Sequence, residues 1–277
     1  MDKGLSMLEH ALRALRQAWA DEWPGLPTVV RSCLDHLGVD RRNRACAVRI
    51  ACLDQLARLV EADGAARACA GQELAYHNRL HIADTLVSLA ALIRTQQEIE
   101  SGAHALAGAL QIEAMIAMVA HDYLHDGTVN RYQGELEARS CVAVDSELAR
   151  LRLPTGARAR IRTWIMATDP VVIARQHERI RGRAFRSTQP SCLQALINEA
   201  DILVSSLPAF AQSQTEALVS ERISSGIPGA ESLLSGDARR QFLERVAIFS
   251  SDASHHLGLA RLRALQLEAL GGDAAGT

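Results

Sequence analysis

Residues 105–127 read ALAGALQIEAMIAMVAHDYLHDG, and this stretch decides the fold. From Ala105 to Ala120 it is strongly apolar all round, which predicts a helix buried on every face. Such a helix needs other helices around it. The flanking sequence supplies them, since Ala, Leu, Arg, Glu and Gln dominate and apolar residues recur at spacings of three and four. At its C-terminal end the helix delivers His121 and Asp122, with His125 four residues after His121. The same His-x-x-x-His spacing occurs upstream in Tyr76-His77-Asn78-Arg79-Leu80-His81. Residues i and i+4 share one helix face, so each cluster can aim two imidazoles at one place. Imidazole beside carboxylate suits first-row divalent metals, and the pattern reads as a metal-dependent hydrolase.

Composition narrows the alternatives. Of the 277 residues 48% are hydrophobic, enough for a sizeable core. A formal net charge of -2 excludes a global basic field for collecting nucleic acid, and 4% aromatic content argues against single-strand stacking platforms. The six cysteines (Cys33, Cys46, Cys52, Cys69, Cys141, Cys192) form no Cys-x-x-Cys pair. They read as small buried hydrophobes in a reducing, cytoplasmic setting. No stretch approaches the length of a membrane span, and Met1 to Glu22 has no apolar leader core, so neither membrane nor secretion is expected.

Helices are expected at Leu5–Ala20, Asp40–Glu61 (stopped by Ala-Asp-Gly), His81–Arg94, Ala105–Ala120, Glu135–Leu151, Gly156–Thr168, Leu193–Ser206, Ala209–Ile223, Arg239–Ser250 and Ala253–Leu270, with a loop over Ser224–Gly236. With no strand-period run and no linker, the expectation is one all-α domain over 1–277. It comprises a helical N-terminal part (1–70), a metal-site core (76–206) and C-terminal helices (207–270).

Neighbouring residues differ by about 100° around a helix, so His121 and Asp122 can serve one site only at a helix end or across two metal positions. A bridging carboxylate between two ions would suit phosphoryl transfer. Asp201, within an otherwise apolar helix, needs a cation, hydrogen bonds or a proton.

Tyr76-His77-Asn78-x-x-His81, His121-Asp122-x-x-His125-x-Gly127-x-x-Asn130, Leu136-Glu137, Thr168-Asp169 and Asp201 fall in the order and approximate spacing of the class I cyclic nucleotide phosphodiesterase catalytic domain. The chain therefore resembles that family, part of the HD superfamily of metal-dependent phosphohydrolases, from about Tyr76 to Ser206. The resemblance implies an all-α catalytic domain that opens a 3′,5′-cyclic nucleotide to the 5′-monophosphate by attack of a metal-bridging hydroxide. It implies that His81, His121, Asp122 and Asp201 hold zinc, and that Asp122 bridges to magnesium or manganese. It casts His77 as general acid and His125 and Glu137 as groups orienting metal-bound water. Tyr76 is expected to pack near the pocket, Thr168 and Asp169 to fix it, and Asn130 to be a structural or pocket residue. A late helix carries Gln241 or Arg239 at the family's base-reading glutamine, with Phe242 as a stacking partner.

The chain departs from the family where Asp126 replaces a proline before Gly127 and where Ala-Arg-Ser follows Glu137. Rival readings keep the metal site with another nucleotide or phosphoester, or make the chain a non-catalytic nucleotide-sensing module. His10, His36, His104 and His177 read as surface residues, and His255 and His256 as solvent-facing or packing groups. The arginines from Arg175 to Arg186 read as a solvated face or loop, with guidance of an anionic substrate as the alternative.

Overall fold

A computed structural model describes residues 3–100 and 108–272. Among them there are thirteen α-helices, one short 3-10 turn and no strand. In chain order the helices are α1 (Lys3–Asp21), α2 (Leu26–His36), α3 (Arg44–Cys69), α4 (Arg79–Ile99), α5 (Gly108–Ala120), α6 (Glu135–Arg150) and α7 (Thr155–Ile165). They continue with α8 (Pro170–Ile180), α9 (Pro190–Ser206), α10 (Pro208–Ser224), α11 (Gly236–Arg245), α12 (Asp252–His256) and α13 (Leu259–Gly272). None is long and apolar enough to cross a membrane. His104 and the first residues of the expected Ala105–Ala120 helix lie outside the described residues.

The all-round apolar helix is buried as its sequence demands, since every residue of α5 from Gln111 to Ala120 is inside. It packs on α3 and α7, while α4 lies against α9, α2 and α1. One core joins these layers. Five of the six cysteines are buried in it as free thiols; Cys69 is exposed.

Several boundaries differ from the sequence expectation, each for a local reason. The expected stop at Ala62–Gly64 does not end α3. Gly64 sits inside the helix because a Cβ there would lie 2.6 Å from the Cγ and Cδ of Arg79. Helix α2 was not expected because Pro24-Gly25 reads as a stop, yet Pro27 in the first turn starts a new helix two residues on. Likewise Asp169-Pro170 ends one helix and begins α8, with Asp169 as its cap. Arg175 and Arg179 therefore lie on the exposed side of α8, opposite buried Val172, Ile173 and Ile180.

The expected Arg239–Ser250 helix ends at Arg245. Beyond it, the chain turns to satisfy Glu199, a fully buried carboxylate on α9. That carboxylate accepts from the backbone N–H groups of Ser250 (2.7 Å) and Ser251 (2.8 Å), the Ser251 hydroxyl (2.5 Å) and the Ser254 hydroxyl. The expected Ala253–Leu270 helix is broken into α12 and α13 at Gly258, whose φ of 74° leaves the helical region.

Glu113 is the one charged group within α5, and it is fully buried. It accepts from Arg49 Nε of α3 (2.7 Å) and from Arg160 Nε (2.8 Å) and Nη2 (3.0 Å) of α7. Removing one partner of a buried ion pair strands the other charge. Glu113→Ala is therefore expected to cost about 3 kcal/mol in a denaturant titration.

His177, expected at the surface, is buried on the inner side of α8. Its Nδ1 meets the Ser250 hydroxyl at 2.5 Å, and its Nε2 has no partner. Burial holds its pKa down at about 4, against an ordinary value of 6.5. The folded protein thus binds fewer protons than the unfolded chain. Stability is complete above the unfolded value and drains as pH falls from 6.5 to about 4. The loss attributable to this residue is on the order of 3 kcal/mol, since one pKa unit is about 1.4 kcal/mol. Unfolding of His177→Gln across that pH range is expected to show a shallower acid slope than the natural chain.

Candidate metal centre

Asn78 builds the first half of the site. Its side-chain oxygen caps α4 by accepting from the His81 N–H (3.0 Å), and its amide donates to the carbonyls of Leu74 and Ala75 (3.0 Å each). This folds the loop back and sets His81 in the first turn of α4, buried. The second half forms where α5 ends. The chain leaves the helix at His121, turns through Leu124 with φ of 64°, and so lets adjacent His121 and Asp122 address one point. Asp201 arrives from α9.

Ligand atoms of His81, His121, Asp122 and Asp201 all lie within 4.8 Å of one another. His81 Nε2 is 3.1 Å from Asp122 Oδ2 and 3.4 Å from Asp201 Oδ1. His121 Nε2 is 3.0 Å and 3.3 Å from the same two oxygens. His121 Nδ1 donates to the Met118 carbonyl at 2.7 Å, and its Nε2 is buried without a hydrogen-bond partner. In the neutral ring that Nε2 carries a lone pair, which faces carboxylate oxygens. Lone pair against anion is repulsive until a cation or a proton stands between them. The donor set, two imidazoles and two carboxylates in a buried cluster, fits a divalent metal.

The same tension appears in the charge balance of the four groups. Burial opposes charge on His81, yet hydrogen bonds and charge from Asp122 and Asp201 outweigh it and raise its pKa to about 9. His121 is raised well above its usual range by the same carboxylates, again against burial. Burial also opposes charge on the acids, but the imidazoles hold Asp201 down at about 2 and Asp122 well below the ordinary range.

A second group surrounds this cluster. One nitrogen each of His77 and His125 and an oxygen of Asp122 lie within 4.8 Å of one another. The two rings stack with centroids 3.7 Å apart at 20°. Their tautomers are opposed. His125 Nδ1 accepts from the Gly127 N–H (3.0 Å), so its hydrogen is on Nε2 and that nitrogen is a donor, not a metal ligand. Burial and the nearby His77 keep His125 neutral, with its pKa down at about 4. His77 Nδ1 instead faces Glu221 Oε1 at 2.5 Å. The other oxygen of Glu221 accepts the backbone N–H groups of Tyr76 and His77, both at 2.8 Å.

Glu221, on α10, escaped the sequence reading. It is one of two acids on that helix, with Glu216, and no spacing links it to His77. Its carboxylate is buried, and although burial pushes upward, His77 holds it below the usual range. Gly127 seals this junction. Its φ is 78°, and a Cβ there would meet Ser225 Oγ at 2.3 Å and Glu221 Cγ at 3.2 Å. Asp126 holds the turn by accepting from the Thr128 N–H (3.1 Å) and hydroxyl (2.5 Å) and by pairing with Arg139.

The remaining residues singled out in the sequence divide by what their side chains touch. Asn130 donates to Glu137 Oε2 (3.0 Å) and accepts from the Leu136 N–H (2.8 Å), orienting a Glu137 carboxyl that burial raises. The Thr168 hydroxyl donates to the Ile165 carbonyl (2.8 Å). Both Asp169 oxygens are taken by backbone, one by Val171 N–H (2.9 Å) and one by Gly134 N–H (2.8 Å), which ties α8 to the start of α6.

Tyr76 lies 4.9 Å from His81 ring to ring, and its hydroxyl meets Ser205 Oγ at 2.9 Å. Beside it opens a cleft of about 110 Å³ lined by Tyr76, Ser205, Gln214, Arg239 and Phe242, among others. Gln241 is exposed and is not part of that lining; Gln214, buried on α10 and not singled out by the sequence, is. Arg239 spends its guanidinium on the Ser205 and Ser206 carbonyls (2.7 and 3.2 Å) and on Gln266 (2.6 Å), while lying 5.3 Å above Phe242.

The sequence matches no known family model. No curated protein matches it either. Among solved structures, the chain is similar to the phosphodiesterase domain of the RhoPDE fusion protein from the choanoflagellate Salpingoeca rosetta. The TM-score is 0.60 at 15% identity over 90% of this chain and 89% of that one. This likeness places the chain in a phosphodiesterase-type helical fold.

Proposed function

We propose that the chain is a two-metal phosphodiesterase that opens a 3′,5′-cyclic nucleotide to the 5′-monophosphate. The observation that carries this reading is the buried His121 Nε2, aimed with His81 at two carboxylates and left without a partner. His81, His121, Asp122 and Asp201 would hold zinc. Asp122 would share its carboxylate with magnesium or manganese, hard ions that retain much of their water. When bound, such ions supply Lewis acidity toward a phosphoryl oxygen and bring the pKa of a water near neutrality.

The chain's own groups divide the remaining work. His77 stands apart from the quartet, and Glu221 fixes its Nδ1–H. Its other nitrogen is thereby presented to give a proton to the leaving 3′ oxygen. His125 offers an Nε2–H donor beside it, and Glu137 an acceptor steadied by Asn130. The cleft beside Tyr76 has the apolar wall, with Phe242, and the few polar groups that suit a nucleobase. A second reading, an HD-type phosphohydrolase of another phosphodiester, is favoured by one observation: Arg239 is already engaged and Gln241 is exposed, so neither is free to read a base from this cleft.

Turnover of cyclic AMP or cyclic GMP by the metal-loaded protein is expected. Hydrolysis of an aryl phosphodiester with neither nucleotide turned over would move the assignment to the second reading. Asp122→Ala is expected to lose metal and activity together by elemental analysis and assay, and chelation should reproduce that loss in the natural chain. His77→Ala is expected to retain metal while its rate falls by about 10²-fold or more, the usual worth of a general acid. Glu221→Gln weakens the acceptor that orients the His77 ring, and its rate is expected to fall with metal content by elemental analysis unchanged.

A further inference from the structure

The N-terminal helix grips α4 on both sides of His81. Arg79, two residues before this ligand, lays its guanidinium 5.2 Å over the Trp19 ring of α1. The same group forks onto Glu73 (Nε–Oε1 2.7 Å, Nη2–Oε2 2.8 Å), pinning the loop that carries Tyr76 and His77, and also reaches Glu61 of α3 (2.5 Å). Asp84, three residues after His81, is 1% exposed. One of its oxygens pairs with Arg16 Nη2 of α1; the other is buried with no partner. Arg16 has its own Nε buried and unpartnered, and its guanidinium lies 5.0 Å over Phe210 of α10, the helix that carries Glu221.

We infer that Arg16 is a positioning residue of the metal centre, acting through Asp84 on the turn of α4 that holds His81. An ordinary staple between helices could lie anywhere along α4; this one brackets the ligand. Asp84 is also a third carboxylate of the neighbourhood, and unlike Asp122 and Asp201 it has a fixed arginine as its counter-charge. Without Arg16, Asp84 would be a buried anion lacking any partner, and the turn bearing His81 would shift to relieve it. Metal affinity is sensitive to such supports, because a ligand displaced from its geometry gives up coordination energy.

This inference rests on the reading of the quartet as a metal site, and zinc affinity measured by chelator competition separates the two. Failure of the natural chain to bind zinc overturns the metal site and this inference with it. Given binding by the natural chain, Arg16→Met is expected to weaken zinc by about 10- to 100-fold, the range for groups supporting metal ligands. Arg16→Met/Asp84→Asn, which removes both charges, is expected to return to within about threefold, because coupled residues are not additive. Affinities are read at low temperature on protein shown folded by circular dichroism. A residue that merely staples the fold would lower the melting temperature and leave zinc affinity of the folded protein unchanged, and that result overturns the inference. A double variant no better than Arg16→Met overturns it as well. If Arg16→Met does not fold, Arg16→Gln is measured in its place, and an affinity of the folded protein equal to that of the natural chain overturns the inference in the same way.

Discussion

An imidazole nitrogen buried against two carboxylates is the constraint around which this molecule is organised. The Met118 carbonyl takes the other nitrogen of His121, so the ring cannot turn away from Asp122 and Asp201 without losing a buried hydrogen bond. Three helices that are far apart in sequence end or pass at that point. The surrounding architecture keeps them there. Three other interior carboxylates are saturated: Glu113 by two arginines, Glu199 by four donors, Asp169 by two backbone amides. Saturated acids cost little and hold elements together. An unsaturated cluster of acids and imidazoles is costly unless something arrives to complete it, and the contrast between the two kinds is what marks the site.

Around that centre the two stacked imidazoles turn their Nδ1 atoms to opposite uses: that of His125 accepts from the Gly127 N–H, and that of His77 faces the Glu221 carboxylate. Both rings are therefore held by groups of the chain itself, one by backbone and one by a side chain from α10.

Much of the fold was readable because its central helix is apolar on every side and ends in a His-Asp pair; few structures other than a helical layer can bury such a segment. That Asn78 caps α4, whose first residue lies two positions before the expected start at His81, is seen only in the structure. The failures share a cause. Pro24-Gly25 and Asp169-Pro170 read as terminators, whereas Pro27 and Pro170 each stand in the first turn of a further helix, so α2 and α8 are not expected from the sequence. Gly64 looked like a stop because its neighbour in space, Arg79, is fifteen positions away in sequence. His177 was placed at the surface since an isolated histidine among arginines carries no sign of the helix face it occupies. Thr168 and Asp169 were recognisable as a motif, but that their side chains would bond backbone was not. Glu221, Gln214 and Asp84 escaped for a related reason: the partners that give them meaning, or the cleft that does so, are assembled only by tertiary packing.

The span between partners has a consequence for how the protein comes into being. Asn78 closes its turn on groups three and four positions away, so the loop presenting His77 and His81 can organise as soon as that stretch leaves the ribosome. The His77–Glu221 contact closes a separation of 144 positions and must wait for α10. Closing loops of such different length makes the first event local and early and the second nonlocal and late. The turn that carries His77 and His81 is thus set before the carboxylate that fixes the His77 ring has been made.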